Sequence, residues 1–180
     1  MTTTTQTRTS TPAPAPTAPA PAARRHGVMG VLPYIGVILF GVASYQQFSG
    51  GVAAAGDWGP TLVTNAVVYL IGWSMLGAGI AHLLFGRRTS ASIGFTPGGF
   101  QTEVGFADLA MGVTALLAAG YSKEYALAII LVSSIYRVGC GIGHIRSIVR
   151  DRNFAINNTA ILVVNFLVPA FLLFAYFTWA

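Results

Sequence analysis

Of 180 residues, 54% are hydrophobic and 8% are charged, with a mean hydropathy of +0.65, which excludes an ordinary soluble domain, where about 25% of residues carry charge. The formal charge is +5, but the basic residues stand in small groups flanking apolar runs, as topology signals do, so the expected partner is the lipid bilayer and not nucleic acid. The lone Cys140 forbids an intrachain disulfide and gives no metal-ligand spacing.

Residues 1–26 are almost wholly Thr, Pro and Ala. That composition has no apolar face to bury, so a disordered, partly polyproline-like tail is expected, serving as a spacer ahead of a helical domain at 27–180. Arg24-Arg25 lacks the hydrophobic follow-on of a twin-arginine signal. Ala53-Ala54-Ala55 mimics a cleavage site, but the apolar run before it exceeds the roughly 7 to 15 residues of a signal peptide.

Five apolar stretches approach or reach the roughly 20 residues that cross a hydrocarbon core: about 28–48, 61–85, 102–119, 124–148 and 158–179. Arg24 and Arg25 precede the first, Arg87 and Arg88 follow the second, and Arg146, Arg150 and Arg152 follow the fourth. The positive-inside rule then sets a cytoplasmic N-terminus and an external C-terminus in a bacterial inner membrane. Tyr45, Trp58, Tyr121, Tyr125, Tyr176 and Trp179 fall at the outer boundary as interface anchors. Between the second and third stretches, Gly86 to Gln101 reads as a loop with a Pro97-Gly98-Gly99 turn, and Thr102 as an N-cap. Asn157-Asn158-Thr159 falls on the inside and reads as a helix cap, not a glycan site. The expected fold is therefore all-α: an integral membrane bundle of five transmembrane helices.

The third stretch carries Glu103 and Asp108. A carboxylate at the centre of a membrane helix costs about 2.5 to 3.5 kcal/mol, so this helix should turn its acid toward its neighbours. Gly105, Asp108, Gly112, Ala115 and Ala119 recur in steps of three and four and form one stripe. Asn65, Val68, Gly72, Met75, Gly79 and His82 do the same in the second stretch, as do Ile130, Ser134, Arg137, Gly141 and His144 in the fourth. At 1.5 Å per residue, His82 and His144 both lie roughly 6 to 8 Å from the cytoplasmic end, Asp108 lies about 9 Å in, and Arg137 lies near mid-helix. Two levels result. Asp108 and Arg137 read as a buried charge pair between helices or as the charged lining of a relay. His82, His144 and Glu103 read as helix-locking hydrogen bonds, as ligands of a metal ion or haem, or as a proton relay.

Two of these helices end in the same motif, Gly77-Ala78-Gly79-Ile80-Ala81-His82-Leu83 and Gly139-Cys140-Gly141-Ile142-Gly143-His144-Ile145. The pairs Gly77/Ala81 and Gly139/Gly143 have the spacing for close helix contact, within one chain or between copies in a homo-oligomer or larger membrane complex. The motifs also suggest a parallel repeat in which helices one and two correspond to helices three and four.

These motifs, with the run Phe100-Gln101-Thr102-Glu103-Val104-Gly105-Phe106-Ala107, resemble a family of small bacterial multi-pass membrane proteins known only as a domain of unknown function. The resemblance spans roughly residues 60 to 170. It implies that Glu103 and the two histidines form the family-level site, and that Asp108 and Arg137 replace residues often uncharged there. It supplies no activity. The leading expectation is a non-enzymatic accessory, scaffold or small transport-related protein. The rivals are a proton, ion or small-solute carrier using Glu103 and the histidines, and a metal- or haem-binding redox module.

Overall fold

A computed structural model of the chain describes residues 34–50 and 57–180. The Thr/Pro/Ala tail, Arg24, Arg25, the start of the first apolar stretch and Ala53 to Ala55 lie outside the described residues.

Among the described residues every regular element is a helix. Helix α1 is Ile35–Ser49. Helix α2 is one rod, Trp58–Ser92, in which a π-helical segment, Ala66–Trp73, joins the α-helical parts Trp58–Asn65 and Ser74–Ser92. Helix α3 is Phe100–Leu117, closed by a 3-10 turn at Ala118–Gly120. Helices α4 and α5 are Lys123–Asp151 and Ile156–Trp179. Four rods, α2 to α5, are long and apolar enough to cross a membrane. The described part of α1 has 15 residues, about 22 Å of helix, and falls short of a span by itself.

The expected loop at 86–101 is mostly helix. Phe85 leaves helical geometry (φ −128°, ψ 26°), and the rod then resumes to Ser92. The Thr89 hydroxyl donates to the carbonyls of Ala81 at 3.1 Å and Phe85 at 3.2 Å, satisfying acceptors at the break. Thr102 is not the cap of α3. The helix begins at Phe100 with Gly99 as N-cap and no capping side chain.

Helix α2 is the axis of the bundle, with 44% of its apolar window buried against 28% to 33% for the other spans. Its residues Val67, Leu70, Ile71 and Met75 meet Met111 and Ala115 of α3, Ile130 of α4 and Val164, Val168 and Leu172 of α5 in one core. Helices α2 and α3 form one closely packed antiparallel pair, α4 and α5 another, and α1 lies against the π segment.

The first pair is fastened by glycines seven residues apart, Gly72 and Gly79 on α2 and Gly105 and Gly112 on α3. A Cβ on Gly79 would lie 2.9 Å from the Gly105 carbonyl oxygen, and one on Gly112 would lie 2.6 Å from the Leu76 nitrogen. The backbones touch, which only glycine allows here.

The two ends of the bundle differ. At one, Trp58 packs on Trp179 with ring centroids 5.0 Å apart, Tyr121 stacks on Tyr125, and the Tyr176 hydroxyl donates to the Lys123 carbonyl. At the other, Arg87, Arg88, Arg146, Arg150 and Arg152 are exposed where α2 and α4 terminate.

Candidate functional site

The charged pair is buried, Asp108 to 3% exposure and Arg137 to 4%. The α4 stripe expected to face inward does so, since Ile130, Ser134, Arg137 and Gly141 are all buried. One terminal nitrogen of Arg137, Nη2, donates to the Leu70 carbonyl at 2.8 Å and to the Ser74 hydroxyl at 3.2 Å. Leu70 belongs to the π segment, whose wider turn disturbs the ordinary i→i−4 ladder and presents a carbonyl to a neighbouring helix. Asp108 interacts with the Tyr136 hydroxyl and with the Arg137 charge, and Tyr136 also meets the Cys140 thiol. A guanidinium in an apolar bundle is tolerable only with such partners, and here they come from three helices. Arg137 Nε is buried with no hydrogen-bond partner.

The second level lies at the arginine-rich end. His144 Nδ1 stands 2.7 Å from Asn158 Oδ1. Asn158 is fully buried, and its amide nitrogen donates to the Asn153 carbonyl at 2.9 Å, which fixes its oxygen as the acceptor for His144. His144 therefore carries its proton on Nδ1, leaving Nε2 for any other partner. Asn158 does not cap α5. That helix begins after Ala155 with no side-chain cap, and Asn158 ties it to α4 instead.

Asn153 extends the tie to the 93–99 loop. Its amide donates to the Ile93 carbonyl at 2.8 Å and the Ser147 hydroxyl at 3.2 Å, and its oxygen accepts from Ala155 N–H at 3.2 Å. Gly94 has φ +72°, and a Cβ there would collide with the Asn153 carboxamide. The loop then lays Phe95 against His144, ring centroids 5.5 Å apart.

His82 and His144 are near enough to interact electrostatically, but no hydrogen bond joins them, since His144 Nδ1 is taken by Asn158. His82 Nδ1 is buried without a hydrogen-bond partner. Glu103 does not join them as a ligand: it is exposed in the first turn of α3. Among the described residues no three His, Cys, Asp or Glu side chains are placed to hold a metal ion, so the two-His-one-carboxylate donor set is not assembled.

The twin motifs also part company. Gly79 packs against α3, and Ala81 is buried. In the second motif only the middle glycine, Gly141, is packed, against Phe166 and Asn165 of α5, while Gly139 and Gly143 have open space where a Cβ would lie.

Such an arrangement defines an all-helical protein compatible with a multi-pass membrane protein, its strongest polar groups gathered where helices cross. Within that class, the chain belongs to the family of unknown function DUF6790, which it matches over residues 27–180. The resemblance to an uncharacterised family is thereby borne out. Comparison with curated proteins and with solved structures gives no match.

Proposed function

We propose that the chain is a non-enzymatic accessory or scaffold subunit of a bacterial cytoplasmic membrane, spanning it five times with the N-terminus inside and the C-terminus outside. The observation that carries this reading is the Arg137 contact with the Leu70 carbonyl and Ser74. The most expensive group in the interior is spent on fixing α2 against α4, as a rigid support requires. His144, Asn158 and Asn153 serve the same end at the arginine-rich boundary. Gly139 and Gly143, open on the outside of α4 beside exposed Ile135 and Ile142, give a neighbouring helix a place to approach closely, whether from a second copy or from another subunit.

The test is purification of the full chain in mild detergent with crosslinking. A discrete oligomer or a stoichiometric partner is expected, lost in Gly139→Leu/Gly143→Leu while the melting temperature is unchanged. A monomer without partners in both forms sinks the reading.

A second reading, a proton carrier, is favoured by the buried Nδ1 of His82, which has no hydrogen-bond partner. It requires a pH-driven flux in proteoliposomes that fails in Glu103→Gln and His82→Phe. A scaffold shows no such flux.

A further inference from the structure

Beside His82, the break at Phe85 and the Pro97-Gly98-Gly99 turn enclose a cleft of ≈ 840 Å³. Its volume falls in the range of roughly 300 to 1,000 Å³ usual for small-ligand sites. From α2 come His82, Arg87 and Arg88, and from the turn and the start of α3 come Gly98, Gln101 and Thr102. No acidic side chain lines it; Glu103, the next residue along α3, is outside the lining. The turn is closed by the Gln101 carboxamide oxygen, which accepts from Gly98 N–H at 3.0 Å. His82 enters the lining with an Nδ1 that finds no partner in the protein.

Two arginines in one lining, with a hydroxyl and an amide, favour a phosphate, whose oxygens accept forked N–H donors. The surroundings say which phosphate. Leu84 also lines the cleft and is 70% exposed, as is Phe100, the residue before the lining Gln101, so the charged recess carries exposed apolar side chains with it. A soluble phosphate has no use for those side chains, whereas a lipid tail does. We propose that this cleft binds the phosphate headgroup of an anionic glycerophospholipid, with Arg87 and Arg88 holding the phosphate oxygens and Leu84 and Phe100 flanking the acyl chains. Arg87 and Arg88 thereby do more than set topology, and the proposal stands whether or not the scaffold reading does.

The experiment is native mass spectrometry of the full chain in detergent, titrated with phosphatidylglycerol, phosphatidylcholine and glycerol 3-phosphate. Phosphatidylglycerol is expected to bind tightest, and Arg87→Gln/Arg88→Gln to weaken it about tenfold or more. Arg146→Gln/Arg150→Gln removes the same charge from the same end and is expected to change binding by less than about twofold. Equal losses in the two variants would mean diffuse surface charge and overturn the site, as would equal binding of phosphatidylcholine. Glycerol 3-phosphate binding as tightly as phosphatidylglycerol overturns the lipid as the source of the phosphate. Since removing Arg87 and Arg88 can disturb insertion, Gly98→Trp gives a second route. Gly98 lines the cleft and a Cβ there meets nothing within 4 Å, so an indole can be added at the cleft with both arginines in place. Unaltered phosphatidylglycerol binding in that variant also overturns the site.

Discussion

Arg137 is the residue on which the interior depends most. Its guanidinium is held by neutral acceptors on α2 and by the field of Asp108 on α3, with Nε left unpartnered, so removing either charge leaves the other poorly compensated in a low-dielectric bundle. Arg137→Met and Asp108→Leu are each expected to cost about 3 to 5 kcal/mol in a denaturant titration of the detergent-solubilised protein. The double variant should lose less than either, because it leaves no unpaired charge, only the Leu70 and Ser74 acceptors. Strictly additive losses would show that the two charges do not act as a pair. The placing of both residues was legible in the sequence, because helical spacing and rise put them on inward stripes at neighbouring depths. Asn158 was not. A local N-x-T at the start of a helix reads as a cap, and its partner His144 lies fourteen residues earlier on a different helix. The exposure of Glu103 was not legible either, for a related reason. Spacing gives a residue's height along its helix, but height does not say which way a first-turn side chain points.

The glycine fastening between α2 and α3 is the clearest case of an element written in the sequence. Gly72, Gly79, Gly105 and Gly112 all fall on the stripes that periodicity marks out. With the Leu76 nitrogen so close to any Cβ on Gly112, even Gly112→Ala must push the backbones apart. It is expected to cost about 1 to 3 kcal/mol, read as an earlier thermal transition in detergent. Gly139→Ala, facing open space, should leave that transition unchanged, and equal effects at the two sites would contradict this packing. The π segment had no such signature. Ala66–Trp73 is apolar almost all round, and the stripe that crosses it at Val68 and Gly72 has the ordinary helical spacing, so nothing in it distinguishes a π turn from an α turn. The break at Phe85 falls where the apolar stretch gives way to Gly86, Arg87 and Arg88; what hydropathy did not mark is that the helix resumes beyond it to Ser92.

At the scale of the molecule, the aromatic cluster around Trp58 and Trp179 and the exposed arginines at the far end give the bundle two chemically different faces. Both were legible as flanking residues of apolar runs. The pairing of α2 with α3 and of α4 with α5 was less so, because hydropathy marks where helices are and not which neighbours they choose. The central rod serves two sets of neighbours. Its first part packs against α1 and α5, and its last part packs against α3. The π segment between them sets their relative phase. Each residue of an α-helix advances the azimuth by about 100°, so deleting one residue from Ala66–Trp73 to restore an α ladder swings Gly79 and His82 away from α3 while Gly59 and Val63 stay seated. The expected result is a chain that inserts and keeps its helical content by circular dichroism, yet loses the cooperative thermal transition of the whole. Inserting one residue elsewhere in the last part of α2 should not rescue it unless it falls before Gly79. The bulge is thus a gear between two halves of one helix, and the register of the bundle is set in the middle of its most featureless stretch.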